Sequence, residues 1–333
     1  MAKSLVTGGS GFIGRHLVSA LLARGDTLRI FDENAPLESG KVEFRRGSIL
    51  DRPSLLSALQ GMDRVFHLAG IAHLWTPNLA DFDRVNRAGT ETLLSAAAES
   101  GIGRILHCST EAILMPPQRL EGPVDEKISL QLSDMPGPYT RSKYAAERAA
   151  LAAARQGLPV VVVNPTVPLG PGDRRMTPPT AMLARFLDGG HAASLDCTLN
   201  LADVRDMAEG MILAAERGRT GERYILGGEN LSMHELAVLI GQSTGKSLNP
   251  LWIPPWLALS AGVICGWLAT NVTRSTPAAT AEGVRLALRS SPVDIGKARR
   301  ARLRTAQDRA GACSGTRVAH ETRTKHGAKL TFI

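Results

Sequence analysis

The turn Thr7-Gly8-Gly9-Ser10-Gly11-Phe12-Ile13-Gly14 joins a short apolar run, 4–7, to a helical pattern over 12–24. Few folds ask for three glycines at this spacing between a strand and a helix. Glycine lets the chain turn tightly and lets its backbone come close to a diphosphate. The helix N-terminus that follows favours the negative charge. Loops collect glycine anyway, so the triplet has weight only because it sits in the first strand–turn–helix unit. Gly8, Gly11, Phe12, Ile13 and Gly14 are therefore candidate contacts of a nucleotide cofactor.

The rest of the first half repeats that unit. Apolar runs at 27–31, 64–68, 104–108 and 160–164 do not alternate with polar residues, which predicts strands buried on both faces. Helical spacing predicts helices over 53–60, 82–100 and 139–155, the last rich in Ala and Glu. Strand and helix in alternation imply an α/β fold with a Rossmann-type, doubly wound parallel sheet. After Pro165 the pattern loosens through Pro168, Pro171, Pro178 and Pro179, and helices are expected over 181–187, 204–217 and 232–244. This divides the chain into a core over 1–165, a smaller C-terminal substrate lobe over 166–298 with segments returning to the core, and a tail over 299–333.

Hydrophobic residues at 44% are enough for a sizeable core, and aromatic residues at 4% are too few for a stacking platform on single-stranded nucleic acid. The net charge of +8 suggests nucleic acid until it is located. Residues 298–333 hold nine basic and two acidic side chains, so the body before them is nearly neutral. No nucleic-acid partner is expected. The tail shows no apolar periodicity; it reads as unstructured and as the product of a reading-frame shift near Arg300, with a native basic extension as the alternative. Cys108, Cys197, Cys265 and Cys313 form no CxxC pair, so neither a disulfide framework nor a metal site is indicated. The N-terminus carries no secretory pattern, and a cytoplasmic location is expected.

The stretch 251–270 holds no charge. Pro254-Pro255 leave a helix over 255–270, shorter than the roughly 20 apolar residues that span a bilayer. It reads as a buried helix with proline in its first turn. The alternative is a helix lying on the inner face of a membrane.

Chemistry concentrates at three places. Asp32 ends the second strand, where a carboxylate accepts hydrogen bonds from adenosine-ribose hydroxyls and repels a 2′-phosphate, which favours NAD over NADP. Tyr139 and Lys143, four apart, share a helix face, so an ammonium there can lower the tyrosine pKa and make it an acid or base. Ser109-Thr110 follow a central strand at the edge where open α/β sheets bind ligands.

Together these residues resemble the extended short-chain dehydrogenase/reductase superfamily, in its NAD-dependent epimerase/dehydratase branch. Gly47-Ser48-Ile49 resembles the adenine-contacting element, His67-Leu68-Ala69-Gly70 the loop beside the cofactor, and Val85-Asn86-x-x-Gly89-Thr90 the helix with a buried structural Asn. Residues 163–171 and 221–230 are similar to the hopanoid-associated sugar epimerases, often labelled dihydroflavonol-reductase-like. The resemblance covers about residues 3–298.

It implies that Tyr139 is the acid/base, that Lys143 holds the nicotinamide ribose and tunes Tyr139, and that Thr110, rather than Ser109, is the hydroxyl partner. It adds Ser48, Ile49, Leu68, Ala69, Gly70 and Pro165 as NAD contacts. Asn164, Arg174 and Arg175 become candidate substrate contacts, the arginines as a diphosphate clamp with solvated loop residues as the alternative. In related dehydratases a glutamate stands two places after the hydroxyl residue. Here Glu111 stands one place after it, which speaks against dehydration and leaves Glu111 as a loop residue that could reach substrate. Ser48 replaces the usual Asp, and Asp203 a commonly seen His. The implied function is an NAD-dependent epimerase of a sugar or nucleotide sugar, by transient hydride abstraction, in hopanoid lipid synthesis. The alternative is an NAD(P)-dependent dehydrogenase or reductase of a sterol-like or dihydroflavonol-like substrate, to which the uncharged stretch would lend an apolar pocket. A non-catalytic NAD(H) sensor is a third possibility that the intact Thr110, Tyr139 and Lys143 set argues against. A small-molecule substrate and a homodimer are expected as partners.

Overall fold

The computed structural model describes residues 2–36, 42–174, 176–189, 193–245 and 250–303. Arg175, Cys313 and the basic tail beyond residue 303 lie outside these.

The first half alternates β1 (Lys3–Thr7), α1 (Phe12–Ala23), β2 (Thr27–Asp32), β3 (Glu43–Arg46), α2 (Arg52–Leu59), β4 (Arg64–His67), α3 (Ala80–Phe82), α4 (Gly89–Glu99), β5 (Arg104–Cys108), α5 (Pro138–Arg155) and β6 (Val160–Pro165). The second half adds β7 (Val167–Leu169), α6 (Pro178–Gly189), β8 (Ala193–Ser194), β9 (Thr198–Asp203), α7 (Val204–Arg217), β10 (Arg223–Leu226) and β11 (Glu229–Ser232). It ends with α8 (Met233–Thr244), β12 (Leu251–Trp252), α9 (Pro255–Leu268), α10 (Ala281–Arg289) and α11 (Gly296–Arg300).

Seven strands form one parallel sheet in the order β10-β6-β5-β4-β1-β2-β3. Successive side chains point to opposite faces, and both faces are apolar because helices cover both. Leu5, Phe31, Val65, Ile105 and Val162 enter one core with residues of α2, α4 and α5. Val6, Ile30, Phe66, Leu106 and Val163 enter the other with residues of α1 and α7. The strand order reverses between β1 and β4, which opens a crevice at the carboxyl ends of the strands. The C-terminal lobe carries the β11-β9-β7 sheet and an apolar cluster of Leu169, Leu183, Leu201, Met233 and Leu236.

Three sequence expectations change. The strands β3 and β10 went unnoticed, being short edge strands; the Glu43–Arg46 segment is largely exposed and reads as polar. The helix expected over 82–100 is interrupted by a π-helical segment, Asp83–Ala88, around the buried Asn86. The helix expected to be buried in the 251–270 stretch is not. It runs on through a π turn, so Pro255–Thr273 is 19 residues long with a mean hydropathy of 1.3 and only 17% buried. By length and composition it is long enough to cross a membrane. Ala258, Gly262 and Ala269 face the protein, while Trp256, Val263, Ile264, Trp267 and Val272 lie in solvent. Its apolar residues go all round the helix, so one seam against α10 leaves the rest uncovered.

Candidate active site

The crevice collects the residues that the sequence singled out. Gly8 takes a left-handed φ of 73°, and a Cβ at that position would lie 2.6 Å from Ala69 N, so β1 and the loop after β4 meet backbone to backbone. A Cβ at Gly14 would lie 2.2 Å from Gly8 O, so the first turn of α1 is pressed onto the glycine loop. No side chain caps α1, which leaves its first N–H groups, at Phe12 and Ile13, to an anion. This is the arrangement an NAD diphosphate needs. Asp32 accepts from Ser10 N at 3.1 Å and Asn34 N at 2.9 Å, which fixes its carboxylate at the mouth of the same loop.

Other cofactor candidates divide. Leu68 and Ala69 hang their backbone on Thr7, at 3.0 and 3.3 Å. Gly70 packs against Asn86, whose side-chain amide holds Ile71 at 2.7 and 3.1 Å and Ser142 at 2.9 Å. Pro165 ends β6 beside Leu226, on the same sheet edge. The Ile49 side chain is buried against Gly89, which leaves its backbone toward the loop after β3. Ser48 lies in the loop after β3.

Tyr139, Thr110 and Lys143 come together at the end of β5. Proline in the first turn and an alanine-rich sequence make α5 a strong helix. It carries Tyr139 to within hydrogen-bonding reach of the Thr110 side chain. Phe82 backs the Tyr139 ring edge-on, with centroids 6.2 Å apart. Lys143 Nζ donates to Cys108 O at 2.7 Å.

The electrostatics differ from the simple expectation that Lys143 lowers the Tyr139 pKa. Burial dominates and raises Tyr139 above its ordinary value; the hydrogen bond with Thr110 opposes this, and the charges of Glu111, Cys108 and Glu282 reinforce it. Burial also lowers the pKa of Lys143. The hydrogen bond from Lys143 to Cys108 O also ties α5 to the end of β5.

Glu111 is half-buried beside Thr110. It opens the 3-10 turn Glu111–Leu114, accepts from Thr110 Oγ1 at 3.1 Å, and is pushed up to about 7 by burial, against the pull of that hydrogen bond. A glutamate whose folded pKa is raised gives stability below its ordinary value of 4.5 that is lost as pH rises through about 7. Glu111→Gln is therefore expected to gain stability relative to the wild type between about pH 4.5 and pH 8, by on the order of 2 kcal/mol. Denaturant midpoints at the two pH values measure this; an equal difference at both would remove the shifted carboxyl.

Asn164 is corrected. It is fully buried, and its amide donates to Thr110 O at 3.1 Å and Glu147 Oε2 at 2.7 Å, with Arg223 on the far side of Glu147 at 3.0 Å. It supports Thr110 instead of facing substrate. Arg174 is exposed in the loop between β7 and α6. Asp203 caps α7 through Arg205 N at 2.8 Å and pairs with the Arg205 side chain. Among the described residues no cluster of His, Cys, Asp or Glu could hold a metal ion.

One residue was missed altogether. Glu282 of α10 reaches the first turn of α5 from 143 positions away and accepts from Tyr139 N at 3.2 Å and Thr140 N at 2.8 Å. Nothing in a local pattern announces such a contact.

Comparison with known proteins agrees with this site. The model of the NAD dependent epimerase/dehydratase family matches residues 4–227. A dihydroflavonol 4-reductase-like protein of Synechocystis sp. is 34% identical over 304 residues, covering 88% of this chain and 87% of that one. Sterol demethylase protein B of Methylococcus capsulatus is 30% identical over 303 residues, covering 89% and 92%. Among solved structures, gox2253 superposes with a TM-score of 0.80 at 30% identity, covering 98% of this chain and 99% of that one.

Proposed function

The chain belongs to the NAD dependent epimerase/dehydratase family, and on that premise we propose that it is an NAD-dependent oxidoreductase interconverting a ketone and a secondary alcohol on a largely apolar substrate. NAD supplies or accepts the hydride when bound. The Gly8–Gly14 turn, Asp32 and the Leu68–Gly70 loop would hold it. Tyr139 passes the proton to or from the substrate oxygen, Thr110 steadies that oxygen, and Lys143 keeps the end of β5 in place. The observation that carries the reaction type is the Tyr139–Thr110 hydroxyl pair at the C-terminal edge of β5, beside a turn built for a diphosphate.

Two things support an apolar substrate. Two relatives at 30% identity or more carry the names of a dihydroflavonol and a sterol enzyme. The exposed α9 also leads to the site: it seats Gly262 on the backbone of Thr280 and Ala281 at the start of α10, and the same helical run takes Thr270 to Trp75 Nε1 at 3.1 Å in the loop after β4. The experiment is to denature the folded protein, measure released NAD(H), and assay ketones and alcohols with added cofactor. An empty site with turnover of apolar ketones supports the proposal. Tightly held NAD with epimerised nucleotide sugar overturns it in favour of a sugar epimerase, the reading that the similarity of 163–171 and 221–230 to the hopanoid-associated enzymes favours.

The same reading gives α9 an occupant. Between residues 250 and 281 Arg274 is the only charged residue, and Trp252, Trp256 and Trp267 are all exposed. Indole rings on an uncharged helix beside one cation suit the surface of an anionic bilayer, and no carboxylate in the stretch opposes it. The protein is expected to sediment with phosphatidylglycerol-containing vesicles, and the Trp256→Ser/Trp267→Ser variant to stay in solution with its turnover of a soluble ketone intact. Wild-type protein that ignores the vesicles, or buries this face by pairing with itself, overturns the assignment.

A further inference from the structure

Helix α10 lays three polar side chains, Glu282, Arg285 and Arg289, along the entry to α5. Arg289 Nη1 donates to Asp134 O at 2.6 Å and Arg285 Nη1 to Pro136 O at 3.1 Å. Glu282, 5% exposed, accepts from Tyr139 N, Thr140 N and, at 2.7 Å, Thr140 Oγ1. Spacings of three and four keep these three residues on one face of α10. The first N–H groups of a helix have no partner within it, and a carboxylate satisfies them while meeting the positive end of the helix dipole. Gly137, the residue before α5, leaves the room: a Cβ there would lie 2.4 Å from Glu282 Cδ. Its φ of −168° is ordinary extended backbone, so the obstruction to a side chain is Glu282 itself.

We propose that Glu282 is a positioning residue, clamping the first turn of α5 to the C-terminal lobe so that Tyr139 is held in register with Thr110. This rests on the oxidoreductase reading given above for what Tyr139 does. Tyr139 is the second residue of α5, and a turn freed of its clamp would carry the phenol away from Thr110. Small displacements of a reacting group cost much of its effect. Glu282 also acts on Tyr139 through its charge. The other groups around Tyr139 are Glu111 and Cys108, with Lys143 on its own helix and Arg141 beside Glu282.

Three variants test this. Glu282→Ala and Gly137→Ala break the same contact from opposite sides; both are expected to lower kcat about tenfold to a hundredfold and to leave KM for the cofactor within about twofold, since the glycine turn lies apart from α10. Glu282→Gln keeps the size and an acceptor but loses the charge. It is expected to move the Tyr139 limb of the kcat–pH profile to lower pH, which a purely structural cap would not do. Amide exchange at Tyr139 and Thr140 is expected to quicken in both alanine variants. If the alanine variants fold and keep the wild-type kcat and pH profile, the positioning role is overturned. If Glu282→Ala fails to fold, Gly137→Ala and the Glu282→Gln profile still decide. If the wild type turns over no ketone or alcohol, the functional reading fails by itself, and unchanged amide exchange in the variants would overturn the clamp.

Discussion

Tyr139→Phe is expected to lower kcat by a factor of about 10² to 10⁴, the usual worth of a positioned proton donor, with NAD affinity nearly unchanged. The ring would stay in place: it is buried, and Phe82 would still meet its edge. What goes is one hydroxyl beside Thr110, so folding should lose only about 1 kcal/mol. A large loss of kcat with a small loss of stability is the signature of a group used in the reaction. Steady-state kinetics and a melting curve on the same preparation measure both. A variant within about tenfold of the wild type would send the search for the acid to Glu111, which sits on Thr110 and titrates near neutral pH.

Gly14→Ala should weaken NAD binding markedly. The added Cβ would fall 2.2 Å from Gly8 O and 2.8 Å from Gly9 Cα, both backbone atoms that cannot swing aside. The first turn of α1 must move off the loop, and with it go the N–H groups of Phe12 and Ile13. Overpacking of this kind costs about 1–3 kcal/mol of stability. Loss of the paired donors is expected to weaken NAD by about a hundredfold, close to 2.7 kcal/mol. Isothermal titration with NAD and NADH gives the affinity, and circular dichroism shows whether the variant folds. A folded Gly14→Ala protein with wild-type affinity would mean that the diphosphate does not rest on this turn.

Much of the fold could be read locally. The five central strands are apolar on both faces, and that pattern has one common explanation, a parallel sheet between two helix layers. Helix α7 lay where the spacing put it, and α5 began one residue earlier than expected, at Pro138. The edge strand β3 is invisible because this edge has little core to bury, so Glu43, Arg45 and Arg46 read as loop, whereas β10 is buried and simply short. The uncharged stretch was misread for a related reason. Composition says how apolar a helix is, not whether anything lies against it, and here only one narrow seam is covered.

The site divides in the same way. The sequence by itself determined the glycine turn, Asp32 and the Tyr139/Lys143 spacing, because each depends on residues a few positions apart on one element or its cap. Only the tertiary structure decided that Asn164 braces Thr110 and that Lys143 binds the end of β5. It alone brought Glu282 to the catalytic helix. Burial and charge at a site are sums over neighbours from every element packed there, and the partners that set them lie tens to more than a hundred positions apart along the chain.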